Sequence, residues 1–180
     1  MDPLIRRIAL LVELADRRKA NRRLGKTALQ KFAYLLQELL GEQLGYQFQF
    51  YSYGPYDSMI MGDIDYAAAL GCLNVSYDQD KGYEIRPGSI ADQLESERDT
   101  LRIESGSNLD RLFHCFGSDS ARELELLATI VYTRKDEPSF QDEQIIKRVQ
   151  DLKPKYSANE IKKAFDKLKG MEEFQCLASA

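Results

Sequence analysis

Between Lys26 and Asp57 the chain gathers side chains able to hold a ligand: Lys26, Gln30 and Lys31, then Tyr51, Tyr53 and Tyr56. A glutamine amide donates and accepts at once, and a lysine ammonium fixes an anion or a carboxylate. Tyrosine brings apolar area with a polar tip, which suits an interface. With Gln30 and Lys31 facing Tyr53 and Tyr56 across a groove, such a patch would take an extended peptide or a phosphate. The same residues also have a plainer reading. Thr27 and Gln30 stand at the spacing of a capping box, which leaves Gln30 serving a helix start and the lysines solvated. Tyr51 and Tyr53 would then cover a joint between two halves of the chain.

Other chemistry is thinly supplied. His114 is the single histidine and sits between Phe113 and Cys115, where it reads as a half-buried packing residue. Adjacent residues diverge on a helix, so His114 and Cys115 make no dyad. Cys72, Cys115 and Cys176 are too scattered for a zinc site and read as unpaired thiols of a reducing cytoplasm. Asp57 fits a helix N-cap, while Asp63 and Asp65 diverge and form no carboxylate pair. Asp78 and Asp80 begin like a calcium loop, but the later ligands and the closing glutamate are missing, which leaves a turn. No serine stands in a nucleophile elbow, and no glycine-rich loop precedes a helix. The expectation is a binding protein without catalysis, cofactor or metal.

These residues need elements to position them. Leu4, Ile8, Leu11, Val12 and Ala15 recur at helical spacing behind Pro3, which predicts a helix over about 3–20. Leu29, Phe32, Ala33, Leu36 and Leu40 line one face of a second helix that stops at Gly41. Tyr46, Phe48 and Phe50 alternate with Gln47 and Gln49, which predicts a half-buried strand over 46–53, ended by a turn at Gly54-Pro55. A third helix carries Met59, Ile60, Ile64, Ala67 and Ala68 and closes at Gly71. Two short strands then flank Asp78 to Lys81 as a hairpin.

The second half reads as helices throughout. Ile90, Leu94, Leu101 and Ile103 suggest one, and Leu109, Leu112, Phe113 and Phe116 suggest a separate short one ending at Gly117. Ser120 with Glu123 opens the next, Ile145, Ile146 and Val149 mark another, and Ser157 with Glu160 caps the last. The predicted fold is α+β and mainly helical. A winged-helix-like half over 1–88, with a small β-hairpin, packs on a helical half over 89–180 as one compact unit.

The net charge of -4 is unevenly spread: nine Lys or Arg and three Asp or Glu fall in residues 1–31. Arg17, Arg18, Arg22 and Arg23 are therefore the candidates for contact with an anion or nucleic acid, against the bland reading of a solvated face. The third helix holds Asp63 and Asp65 behind Asp57 and no Lys or Arg, so it is ill suited to reading duplex DNA. Nucleic acid is thus the lesser of the two partners considered. No apolar run approaches 18 residues, which argues against a membrane partner. Glu13 and Asp16 interrupt the first apolar stretch, which reads as an amphipathic helix rather than a signal peptide.

One stretch is similar to a known family. Lys26-Thr27-x-Leu29-Gln30-Lys31-x-x-Tyr34-Leu35, then an aromatic strand and Tyr53-Gly54-Pro55 followed by Tyr56-Asp57, resembles the opening motif of the Panacea antitoxin superfamily, closest to its YwgA-like branch. The later run Leu126-Leu127-Ala128-Thr129-Ile130-Val131-Tyr132 also looks similar. The resemblance implies a helix, a small hairpin and a helical second half after the motif. It further implies a partner protein, such as a toxin or a subunit of a defence complex, in a setting associated with mobile elements. The leading expectation is an antitoxin-like protein-binding module. The alternative is a winged-helix-type transcription regulator or another protein associated with nucleic acid.

Overall fold

The computed structural model describes residues 1–19 and 22–178. Its first apolar period becomes helix α1, Pro3–Lys19, started by Asp2, whose Oδ1 accepts from the Leu4 N–H at 2.8 Å. Helix α2, Lys26–Glu38, ends in a left-handed glycine: Gly41 has φ +81°, and the Glu42 N–H returns to the Leu36 carbonyl at 3.1 Å. The sequence suggests one apolar stripe on α2, yet every residue from Ala28 to Leu36 is buried. Helix α4 (Glu95–Phe116) and helix α5 (Ala121–Asp136) pack on it together with α1. A helix apolar nearly all round must lie inside.

The predicted strand over 46–53 is shorter than expected. Its last part forms β1, Gln49–Tyr51, which pairs antiparallel with β2, Gly54–Tyr56. Gly54-Pro55 is therefore the return strand and not the turn, which falls at Ser52-Tyr53. Gly54 makes the return possible: its φ is +79°, and an added Cβ would stand 3.0 Å from Thr129 Oγ1 on α5. Pro55 is tolerated because β2 has only one neighbouring strand.

Asp57 caps helix α3, Ser58–Ala69, as the sequence indicates, accepting from the Met59 N–H at 2.7 Å. The second hairpin also follows expectation: β3 (Leu73–Asp78) and β4 (Gly82–Pro87) run in register from Leu73 opposite Pro87 to Asp78 opposite Gly82. The Ile85 N–H ties β4 to the Leu24 carbonyl at 2.8 Å, just before α2. Three helices followed by this hairpin give the winged-helix-like order, with β1–β2 inserted before α3.

The two helices expected around 90–103 and 109–116 are one. A 3-10 turn at Ala91–Leu94 leads into the 22 residues of α4. The polar stretch between the two apolar sets is not a break, because it meets polar partners. Ser105 donates to Glu42 Oε2 at 2.7 Å, and Asn108 donates to Glu42 Oε1 at 2.7 Å and to the Leu40 carbonyl at 3.2 Å. Ile103, one of the apolar residues that marked the first of these helices, is 86% exposed.

Capping boxes at Ser120/Glu123 and Ser157/Glu160 open α5 and α7 (Ala158–Lys169) as expected, with α6 (Asp142–Leu152) between them. A last helix, α8 (Glu172–Cys176), has no counterpart in the sequence reading; its Phe174 meets Phe165 edge-on at 5.6 Å. The buried apolar residues of α1 to α8 form a single core. The architecture is mainly helical α+β, and among the described residues no helix is long and apolar enough to cross a membrane.

Candidate functional site

Helix α2 and the β1–β2 hairpin border an open cavity of about 440 Å³. Lys26, Thr27, Gln30 and Lys31 line it from α2, Tyr51, Tyr53, Gly54 and Tyr56 from the hairpin, and Met61 from α3. All five residues singled out from the sequence as partner-binding thus border one space. Their roles differ from expectation in two respects.

Gln30 does not serve a capping box. The N-cap of α2 is Gly25, with no side-chain bond to the helix start. Gln30 instead clamps the chain entering α3: its Nε2 donates to the Asp57 carbonyl at 3.1 Å, and its Oε1 accepts from the Asp57 N–H at 3.2 Å. The Asp57 backbone is buried there and needs both bonds. The amide is therefore occupied by the fold.

Lys31, expected at the surface, is only 2% exposed. Its position on the buried middle of α2 dictates this. Its Nζ donates to the Pro55 carbonyl of β2. Burial, helped by Lys153 and opposed by Glu125, pushes its pKa down to about 8. Glu125 is itself buried on α5 and bonds Lys153 Nζ and Lys155 Nζ, each at 2.9 Å. Burial alone would raise the Glu125 pKa, but those two lysines bring it below the usual carboxylate range. Lys153 Nζ also donates to the Ser52 carbonyl at the hairpin turn. Two buried lysines, one from each half of the chain, thus reach carbonyls of the hairpin.

The tyrosines remain at the surface. Tyr51 and Tyr53 are 56% and 66% exposed, and Tyr56 is half-buried. Tyr51 and Tyr56 meet edge to face, with centroids 5.4 Å apart, while Lys155 Nζ stands 5.2 Å from the Tyr53 ring centre. The opposite face of the hairpin is anchored: Phe50 packs on Tyr132 at 5.1 Å and lies under Lys153 Nζ at 5.2 Å. Lys26 is half-buried, with its Nζ 4.7 Å from the Tyr83 ring centre and 3.3 Å from Asp65 Oδ1.

The basic candidates are mostly engaged elsewhere. Arg17 Nε bonds Glu13 at 2.7 Å, and its NH1 reaches Asp110. Arg18 is buried over the Phe32 ring and donates to the Gly117 and Asp119 carbonyls, which close α4. Arg23 donates to the Gly82 carbonyl at 2.6 Å and the Tyr83 carbonyl at 3.3 Å. Arg22 alone of the four is exposed. The four do not form one surface.

His114 is exposed on α4 and not half-buried as expected. Cys72 is buried, Cys115 half-buried and Cys176 exposed, all as free thiols. Asp63 is buried and takes Arg7 Nε at 2.7 Å and the Tyr46 hydroxyl at 2.9 Å. Among the described residues no cluster of three His, Cys, Asp or Glu is placed to hold a metal ion.

Sequence reasoning missed Glu125, Lys153 and Lys155. A signal for the first was present: Glu125, Thr129 and Thr133 recur every four residues in the apolar α5 run, so a polar stripe crosses a helix that is otherwise inside. No protein-family model matches the chain, and no similar sequence was found among curated proteins.

Proposed function

We propose that this chain is a non-enzymatic protein-binding module, resembling the Panacea-type antitoxins, that neutralises or recruits a partner protein through the β1–β2 hairpin and the groove beside it. One observation carries the reading: the hairpin turns its Phe50 face to the core and leaves Tyr51 and Tyr53 open beside a cavity. Large rings held rigidly at a surface lose little entropy on binding and give anchors for a partner. The Lys26 to Asp57 motif that carries the family resemblance is the stretch that builds this groove, which supports the same reading. The partner implied is a toxin or a subunit of a defence complex inside the cell.

The reading as a nucleic-acid-associated regulator has less support. Three of the four candidate arginines are committed to acids or carbonyls, and α3 has no basic side chain. Affinity purification of the tagged chain from its own cell tests the proposal. Tyr53→Ala and Tyr56→Ala are each expected to weaken capture of a specific partner by about 2 kcal/mol. Recovery of that partner at undiminished yield with both variants would overturn it.

A further inference from the structure

We infer that the hairpin cavity receives one carboxylate side chain, a glutamate or aspartate, carried on an apolar stretch of the partner protein; the inference rests on the partner-binding reading above. Lys31 is the first reason. An ammonium carries three N–H donors, and among the described residues its only hydrogen-bond acceptor is the Pro55 carbonyl. Glu125, the acid that acts on it, is already shared by Lys153 and Lys155. Asp57 gives its two carboxylate oxygens to the Met59 and Gln47 N–H groups. A cation buried under a cavity without a carboxylate of its own asks for one from outside.

The start of α2 is the second reason. Its N-cap makes no side-chain bond, its first turn contains no acid, and Lys26 and Thr27 of that turn line the cavity. Unmatched N–H groups at a helix start favour a negative charge. The lining also sets the kind of anion. It includes no arginine and two lysines, of which Lys26 is already paired with Asp65 at 3.3 Å; that leaves the Lys31 ammonium to match a single negative charge, fewer free cations than a phosphate dianion would call for. Tyr51, Tyr53, Tyr56 and Met61 supply apolar surface around that charge. An acid flanked on both sides by apolar residues covers those rings. A chain terminus covers only part of them.

The test uses fluorescently labelled heptapeptides, acetylated and amidated, with a central glutamate flanked by leucine and valine. Matched peptides carry glutamine at the centre, or that glutamine with a free C-terminal carboxylate. Anisotropy titrations of the full chain are expected to give binding about tenfold tighter for glutamate than for glutamine. The preference is expected to vanish in Lys31→Met, whose fold is checked by circular dichroism and its melting curve. Equal binding of the two peptides overturns the inference, as does absence of binding by the glutamate peptide. A preference that survives in Lys31→Met overturns it too, and so does tighter binding of the peptide with the free carboxylate. A chain that captures its partner through Tyr53 yet ignores the central glutamate loses this inference and keeps the partner-binding reading. Partner capture unaffected by Tyr53→Ala and Tyr56→Ala removes that reading instead.

Discussion

The basic face of α1 and the groove at the β1–β2 hairpin both draw the eye to cations in the sequence, and the fold treats them in opposite ways. On α1, Arg6 pairs with Glu104 and Glu42, Arg7 with Asp63, Arg17 with Glu13 and Asp110, and Arg18 with two carbonyls. Two of these five acids, Glu104 and Asp110, come from α4, ninety or so residues away in sequence. At the groove, Lys31 is buried deeper than most of them and is given one carbonyl. A cluster of arginines therefore says little about a binding face until its acids are placed. A lone lysine inside an apolar helix says more, because burying it costs stability that packing alone would not require.

That contrast can be broken from its strongest side first. Glu13 is buried on α1 and takes Arg17 at 2.7 Å, Arg98 at 3.0 Å and Arg102 at 2.9 Å. Glu13→Ala is expected to cost about 3 kcal/mol or more in urea unfolding, since it removes the buried acid shared by Arg17, Arg98 and Arg102 and leaves them the more exposed Asp110, Asp16 and Glu95. An effect below about 1 kcal/mol would show the α1 network to be ornamental. Burial alone would raise the Glu13 pKa, but hydrogen bonds from Arg102, Arg17 and Arg98 bring it below the ordinary glutamate value of 4.5. The folded pKa is thus lower than the unfolded one. Its contribution is complete above pH 4.5 and is lost as pH falls through the lowered folded value.

Next comes the hairpin's seat on α5. Gly54→Ala forces a left-handed φ on an L side chain and presses its Cβ on Thr129, so a loss of about 3 kcal/mol is expected. Chemical denaturation measures it, and a neutral result would mean the hairpin can lift off α5 freely.

Lys31→Met sharpens the comparison with the opposite sign. The unfolded lysine titrates near 10.5 and the folded one at about 8, so its charge opposes folding below pH 8. The variant is expected to be more stable at pH 7 by about 2 kcal/mol. As pH rises from 8 to 10.5, the unfolded chain binds more protons than the folded one, the natural protein regains stability, and the gap closes. Melting curves at pH 7 and pH 10 decide it. A variant less stable than the natural chain at pH 7 would make Lys31 a structural tether.

The smallest expected change in stability belongs to Tyr53→Ala, within about 0.5 kcal/mol, because an exposed ring leaves no core cavity. A cooperative loss well beyond that would place the ring in the fold rather than at an interface.

Much of this fold was legible before any coordinates. The capping residues Ser120, Ser157 and Asp57, the Gly41 stop and the β3–β4 hairpin all follow from local chemistry, which a sequence carries in full. What was not legible depended on distant partners. The continuity of α4 relies on Glu42 meeting Ser105 and Asn108. Gln30 left a plausible cap for the Asp57 backbone 27 residues on. Lys31 reads as exposed beside Thr27 and Gln30 until α5 is laid over α2. Tyr51 and Tyr53 were legible as candidate surface residues from the chemistry of tyrosine, whereas Glu125, Lys153 and Lys155 reach the site only through tertiary packing.

The most direct measurement sets the two regions side by side against the same purified partner. Calorimetric titrations would compare the natural chain with Tyr53→Ala at the groove and with the double variant Arg22→Ala/Arg23→Ala beside α1. The account predicts a loss of about 2 kcal/mol for Tyr53→Ala and less than about 0.5 kcal/mol for the arginine pair. The reverse pattern, with binding lost on neutralising the arginines and kept without the Tyr53 ring, would contradict it.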